Sequence, residues 1–196
     1  MSPRRRRAPA VAGVLLAPGA GSDRNHRSLV AVEEALVPLP VHRFDFPYRR
    51  AGRRAPDRAP RLVAAVVEEV AAVADRLGVG AERLVLGGRS MGGRMCSMAV
   101  AEGLPAAGLV LVSYPLHPPG RPEQLRTTHL PDIGCPCLFV SGTRDPFGTP
   151  EELEVATATI AGPVTHVWID GGRHDLRGAD ERVAESVREW LTPMLP

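Results

Sequence analysis

The sequence predicts an α/β fold: one mainly parallel sheet of about six strands with helices on both faces. Three observations predict it. Short apolar runs alternate with longer stretches of helical periodicity. The runs are continuously apolar rather than alternating, and the turns after several of them are rich in Gly, Asp and Pro. Such Val-, Leu- and Ile-rich runs suit strands buried on both faces, the condition of a parallel sheet. With 196 residues, 44% of them hydrophobic, the chain can build one ordinary core.

The first strand is expected over Val11–Ala17, followed by the turn Pro18-Gly19-Ala20-Gly21. Ser22 and Asp23 are good caps for a helix over Arg24–Leu36. A strand over Val41–Phe44 comes next. Pro60–Leu77 carries apolar residues at helical spacing and stops at Gly78. The strand Arg83–Leu86 leads through glycines into a helix over Met91–Glu102. Strands are expected over Gly108–Ser113, Cys137–Ser141 and Thr165–Ile169. Thr149-Pro150-Glu151-Glu152 starts a helix with Pro at its first position and acids in its first turn. A last helix over Ala179–Leu191 is stopped by Pro193. Two segments, Asp45–Ala59 and Pro115–Asp132, lack periodicity, and long irregular loops of this kind are often functional. Residues 1–9 read as a basic, disordered tail and residues 10–196 as a single domain.

Arg4–Arg7 followed by Ala8–Ala17 imitates a secretion signal. We read Val11–Leu16 as a strand instead, because the turn behind it carries a function given below. The 24 basic residues are all arginine. Without lysine there is no Schiff-base chemistry and no Walker A loop. Residues 1–61 hold 13 Arg against five acids, +8, and residues 62–196 hold 11 against 17, −6. The basic third reads chiefly as a solvated surface, with no aromatic–basic interleaving of the sort that binds nucleic acid. Cys96, Cys135 and Cys137 lack disulfide or zinc spacing and read as thiols of a cytoplasmic protein. No apolar run is long enough for a membrane span, so neither membrane nor nucleic acid is an expected partner.

The chemistry lies in Gly88-Arg89-Ser90-Met91-Gly92, between a strand and a helix. A serine at such a sharp turn needs small residues two places either side. The helix N-terminus behind it offers free N–H groups to developing negative charge. An acid and then a histidine are needed after later strands, and Asp145 and His174 follow the runs ending at Ser141 and Ile169. All three then lie at the carboxyl edge of a parallel sheet. Ser90 would be the nucleophile, His174 its base and Asp145 the group that orients the imidazole. Asp170 and Asp175 compete with Asp145 but sit too near His174 in sequence to reach the far side of its ring. His166 lies in a strand, and His42 and His26 precede the serine. The backbone N–H groups of Ala20 and Met91 are the expected oxyanion donors. Tyr114, His117 and His26 are candidates for substrate contact, and His129 shares the second irregular loop.

With these residues the chain resembles the α/β-hydrolases. Within that superfamily it resembles the small group that includes testis-expressed protein 30 and the hydrolase-like part of NSL complex subunit 3, with dienelactone-hydrolase-like relatives. The resemblance covers about residues 10–195. It rests on Ala17-Pro18-Gly19-Ala20-Gly21, Gly87 to Arg94, Tyr114-Pro115-Leu116-His117-Pro118-Pro119-Gly120, Gly142-Thr143-Arg144-Asp145 and Gly172-Arg173-His174-Asp175. The proline-rich string is the most specific of these. Pro18 stands where relatives often carry His, and Ser90 where dienelactone hydrolases usually carry Cys. The resemblance implies an α/β-hydrolase fold without a separate cap domain, acting on a small-molecule acyl substrate with no cofactor and no metal. Monomer and homodimer are equally compatible with the sequence. The five Arg of residues 49–58 and Arg61 raise the idea of an acidic acyl or phosphate-bearing substrate. The alternative function is a non-catalytic interaction module on a hydrolase scaffold, and a complete Ser-Asp-His set in the right order argues against it.

Overall fold

A computed structural model describes residues 10–196, and the expected tail at 1–9 lies outside the described residues. The elements run β1 (Gly13–Ala17), α1 (Arg27–Ala35), β2 (Val41–Arg43), α2 (Pro47–Arg50), α3 (Ala59–Leu77), β3 (Leu84–Arg89), α4 (Met91–Ala101), β4 (Gly108–Val112), β5 (Cys137–Gly142), α5 (Pro150–Thr157), β6 (Val164–Ile169) and α6 (Asp180–Leu191). The six strands form one sheet in the order β2-β1-β3-β4-β5-β6, and every pair is parallel. Every strand therefore ends on the same edge.

Alternate residues of each central strand feed opposite cores. Leu15, Leu86, Leu111 and Phe139 face the layer of α3 and α4. Val14, Val85, Val110 and Leu138 face the layer of α1 and α6. That period of two explains why the strands read as unbroken apolar runs: both faces are covered. The outer strand β6 departs from the expectation, since none of its residues is fully buried.

The long helix α3 buries Leu62, Val63, Val66, Val70 and Val73 and ends on Gly78, whose left-handed φ of 63° makes glycine the natural choice. Truncating a buried residue such as Leu62 to Ala would cost about 2–5 kcal/mol. A reciprocal capping box starts α5: Thr149 accepts from the Glu152 amide and Glu152 from the Thr149 amide. The first helix differs from the expectation. Asp23 accepts from the Asn25 amide in a local turn, so the helix begins at Arg27 with His26 as its cap. A side chain that caps its own turn removes those residues from the helix.

The two irregular segments also have order that period-based reading missed. Phe44, Phe46 and Tyr48 alternate into the α3 core, with ring centroids at 5.0 and 6.3 Å, and Pro47–Arg50 forms a helical turn. The segment between β4 and β5 is a loop with one 3-10 turn at Leu130–Asp132, not a separate cap. Among the described residues, no helix is long and apolar enough to cross a membrane.

Candidate active site

Close packing at the end of β3 creates the serine turn. A side chain at Gly88 or Gly92 would strike the carbonyl of Ala17 at the end of β1. Glycine therefore lets β3 and α4 press directly on β1. Ser90 is held at φ 51°, an unfavourable angle for a residue with a side chain, and its amide donates to the Val112 carbonyl at 2.8 Å. Its side chain is left at the carboxyl edge, and the residue is 8% exposed.

Two further loops meet it there. Ser90 Oγ lies 2.8 Å from His174 Nε2. His174 Nδ1 lies 2.8 Å and 3.0 Å from the two carboxylate oxygens of Asp145. Asp145 is 4% exposed and also accepts from the Phe147 amide at 2.9 Å. A carboxylate so placed holds the Nδ1–H tautomer, leaving Nε2 to accept the serine proton. Asp170 and Asp175 are directed elsewhere. Asp170 accepts from Thr143 Oγ1, and Asp175 accepts from the Arg177 amide.

The loops are stitched to one another. The Arg144 amide donates to the Gly172 carbonyl, and the Gly171 amide to Thr143 Oγ1. Two contributors were not anticipated from the sequence. Phe147 stacks on the His174 ring at 3.9 Å between centroids. Arg89, beside Ser90, donates through Nη2 to the His174 carbonyl at 3.0 Å, and burial, then the charge of Arg27, lowers its pKa. An aromatic two residues beyond the candidate acid was the only sequence signal for Phe147.

The turn after β1 lies against the serine: a Cβ on Gly19 would be 3.5 Å from the Ser90 Cβ. The amides of Ala20 and Met91 have no hydrogen-bond acceptor among the described residues. Arg49 lies 3.6 Å from Asp23, and the buried Tyr48 hydroxyl sits beside Gly21, so α2 braces this turn.

The candidate substrate contacts are redistributed. Tyr114 is core: 1% exposed, edge-on to Phe139, its hydroxyl donated to the Arg126 carbonyl at 2.8 Å. Burial raises its pKa to about 12. His26 is occupied as the cap of α1, accepting from the Ser28 amide, and burial lowers its pKa. His117 is buried, with Nδ1 donating to the Pro118 carbonyl and Nε2 3.3 Å from Glu152. Its amide donates to the Phe147 carbonyl, so it supports the acid loop. The arginine-rich segment is largely neutralised: Arg49 faces Asp23, Arg50 pairs with Glu69, and Arg53 and Arg61 share Asp57.

Residues 10–191 match the model of a family described as an alpha/beta hydrolase domain. Among solved structures, a dienelactone hydrolase from Anabaena variabilis is 22% identical, with TM-score 0.76, covering 95% of this chain and 88% of that one. Est1E from Butyrivibrio proteoclasticus is 17% identical, with TM-score 0.74, covering 98% and 91%. A monoacylglycerol lipase from Paleococcus ferrophilus is 15% identical, with TM-score 0.74, covering 95% and 96%. These likenesses are of fold.

Proposed function

The chain belongs to the alpha/beta hydrolase domain family, and from that premise we propose that it is a serine hydrolase of small esters, thioesters or amides. The observation that carries this reading is the continuous chain of contacts from Ser90 through His174 to Asp145, each step 2.8 Å at its shortest.

In this reading His174 takes the Ser90 proton as Oγ attacks the acyl carbon. Asp145 keeps the ring in the right tautomer and stabilises the imidazolium. General-base assistance of this kind is worth about 10²–10⁴-fold. The tetrahedral oxyanion would be received by the Ala20 and Met91 amides, each donor contributing about 2.7–4 kcal/mol. The imidazolium then protonates the leaving group, and a water activated by His174 releases the acid. These steps call for no metal or organic cofactor. The string Tyr114–Gly120 supports a place near the testis-expressed protein 30 group, and the unpaired cysteines suit a cytoplasmic setting.

A fluorophosphonate probe tests the reading. It should label the protein on Ser90 and fail on Ser90→Ala. Folded wild-type protein that neither takes the label nor turns over p-nitrophenyl esters would favour a non-catalytic scaffold.

A further inference from the structure

We propose that Arg94 and Arg126 form an anion-recognition subsite beside Ser90, which takes a carboxylate or phosphate group carried by the substrate. The inference rests on the hydrolase reading for its substrate but not for its binding. Arg94 lies one helical turn beyond Ser90 on α4, its amide donating to the Ser90 carbonyl at 3.1 Å. Side chains on a helix lean towards its N-terminus, which is here the end that carries the serine. Arg126 comes from the loop between β4 and β5. That loop is held against α4 by the hydrogen bond between His129 and Ser97, and within the loop the Tyr114 hydroxyl donates to the Arg126 carbonyl.

The two arginines are half-buried, and their guanidinium groups are uncompensated. Neither forms an ion pair with a carboxylate among the described residues. The Nε of Arg94 is fully buried without a hydrogen-bond partner. Arg126 makes only a long bond of 3.4 Å from Nη1 to the Pro115 carbonyl. The Tyr114 hydroxyl, Ser97 and neutral His129 around them carry no negative charge, and the Asp132 carboxylate acts on His129 more weakly than burial and the Arg94 charge do. Burial and then the Arg94 charge lower the pKa of both Arg126 and His129. Like charges held together on a half-buried surface repel, and an external oxyanion relieves the repulsion. Guanidinium forks match carboxylate and phosphate oxygens in pairs, which is why the two anions share this chemistry.

The test compares mono-p-nitrophenyl glutarate with p-nitrophenyl butyrate, close in length but unlike in charge. The wild type should favour the glutarate ester in kcat/KM. That preference should fall about tenfold in Arg94→Gln, and also in Arg126→Gln, whose loop position makes it the safer variant to fold. A preference ratio unchanged in both variants overturns the subsite. Binding is read separately in the Ser90→Ala protein. Glutarate or inorganic phosphate should raise its melting temperature, and Arg94→Gln should abolish the rise. Which anion acts identifies the source of the charge. No rise from either anion, with fluorophosphonate still labelling the wild type, overturns the subsite and leaves the hydrolase reading standing. A rise that depends on Arg94, without any labelling, does the reverse.

Discussion

Helix α4 and its cap carry two serine–histidine pairs of equal length, and only one has the arrangement that the proposed chemistry requires. Ser90 Oγ and Ser97 Oγ each lie 2.8 Å from a histidine Nε2. The difference is the direction of the proton. Ser97 donates its only hydrogen to the Arg94 carbonyl at 2.8 Å, so His129 must donate to it. No carboxylate hydrogen-bonds the other His129 nitrogen among the described residues, and burial, then the Arg94 charge, lowers the pKa of His129 to about 4. His174 has the opposite arrangement: Asp145 takes its Nδ1–H, and Nε2 is free to accept from Ser90. Exposure separates the pairs as well, Ser97 being 0% and Ser90 8% exposed. Distance alone does not make a nucleophile; the acceptor behind the base does.

The contrast can be broken at its strongest point by Asp145→Asn. That change should admit the wrong tautomer of His174 and lower kcat by about ten-thousandfold with little change in folding. Steady-state ester kinetics would check it, and a loss below about tenfold would move the orienting role to another residue. Ser97→Ala asks the reverse question. It strands the His129 N–H in a half-buried site and should cost about 1–3 kcal/mol in urea unfolding, while fluorophosphonate labelling of Ser90 persists. A third effect concerns pH. The folded pKa of His129, about 4, lies below its ordinary 6.5, so the unfolded chain binds more protons between these values. Stability should therefore fall as pH drops from about 6.5 towards 4. His129→Gln should flatten that part of the melting-temperature profile.

Much of this was legible in the sequence. Each strand begins and ends within three residues of its expected bounds, and in the four central strands this is because burial on both faces leaves a continuous apolar run. That Ser90, Asp145 and His174 would meet was legible because each follows a strand and parallel strands end on one edge. Relations between distant loops were not. Arg89 reaches a carbonyl 85 positions away. The charge count of the arginine-rich segment pointed to a substrate, yet Asp57, Glu69 and Asp23 occupy most of those guanidinium groups. A sequence records how many charges there are, not which have already found partners. Tyr114 looked like a pocket residue because it adjoins a proline-rich loop, but its place directly after β4 carries the ring into the α3–α4 core.

Among the described residues, three with side chains have left-handed backbones at or near the carboxyl edge: Ser90 and Ser113 at φ 51° and Leu176 at φ 46°. Each such conformation stores about 1–3 kcal/mol. The apolar sheet beneath works like the stiff limb of a bow, holding these bent points under tension. Selection for heat tolerance and selection for turnover would then pull on the same few positions in opposite directions.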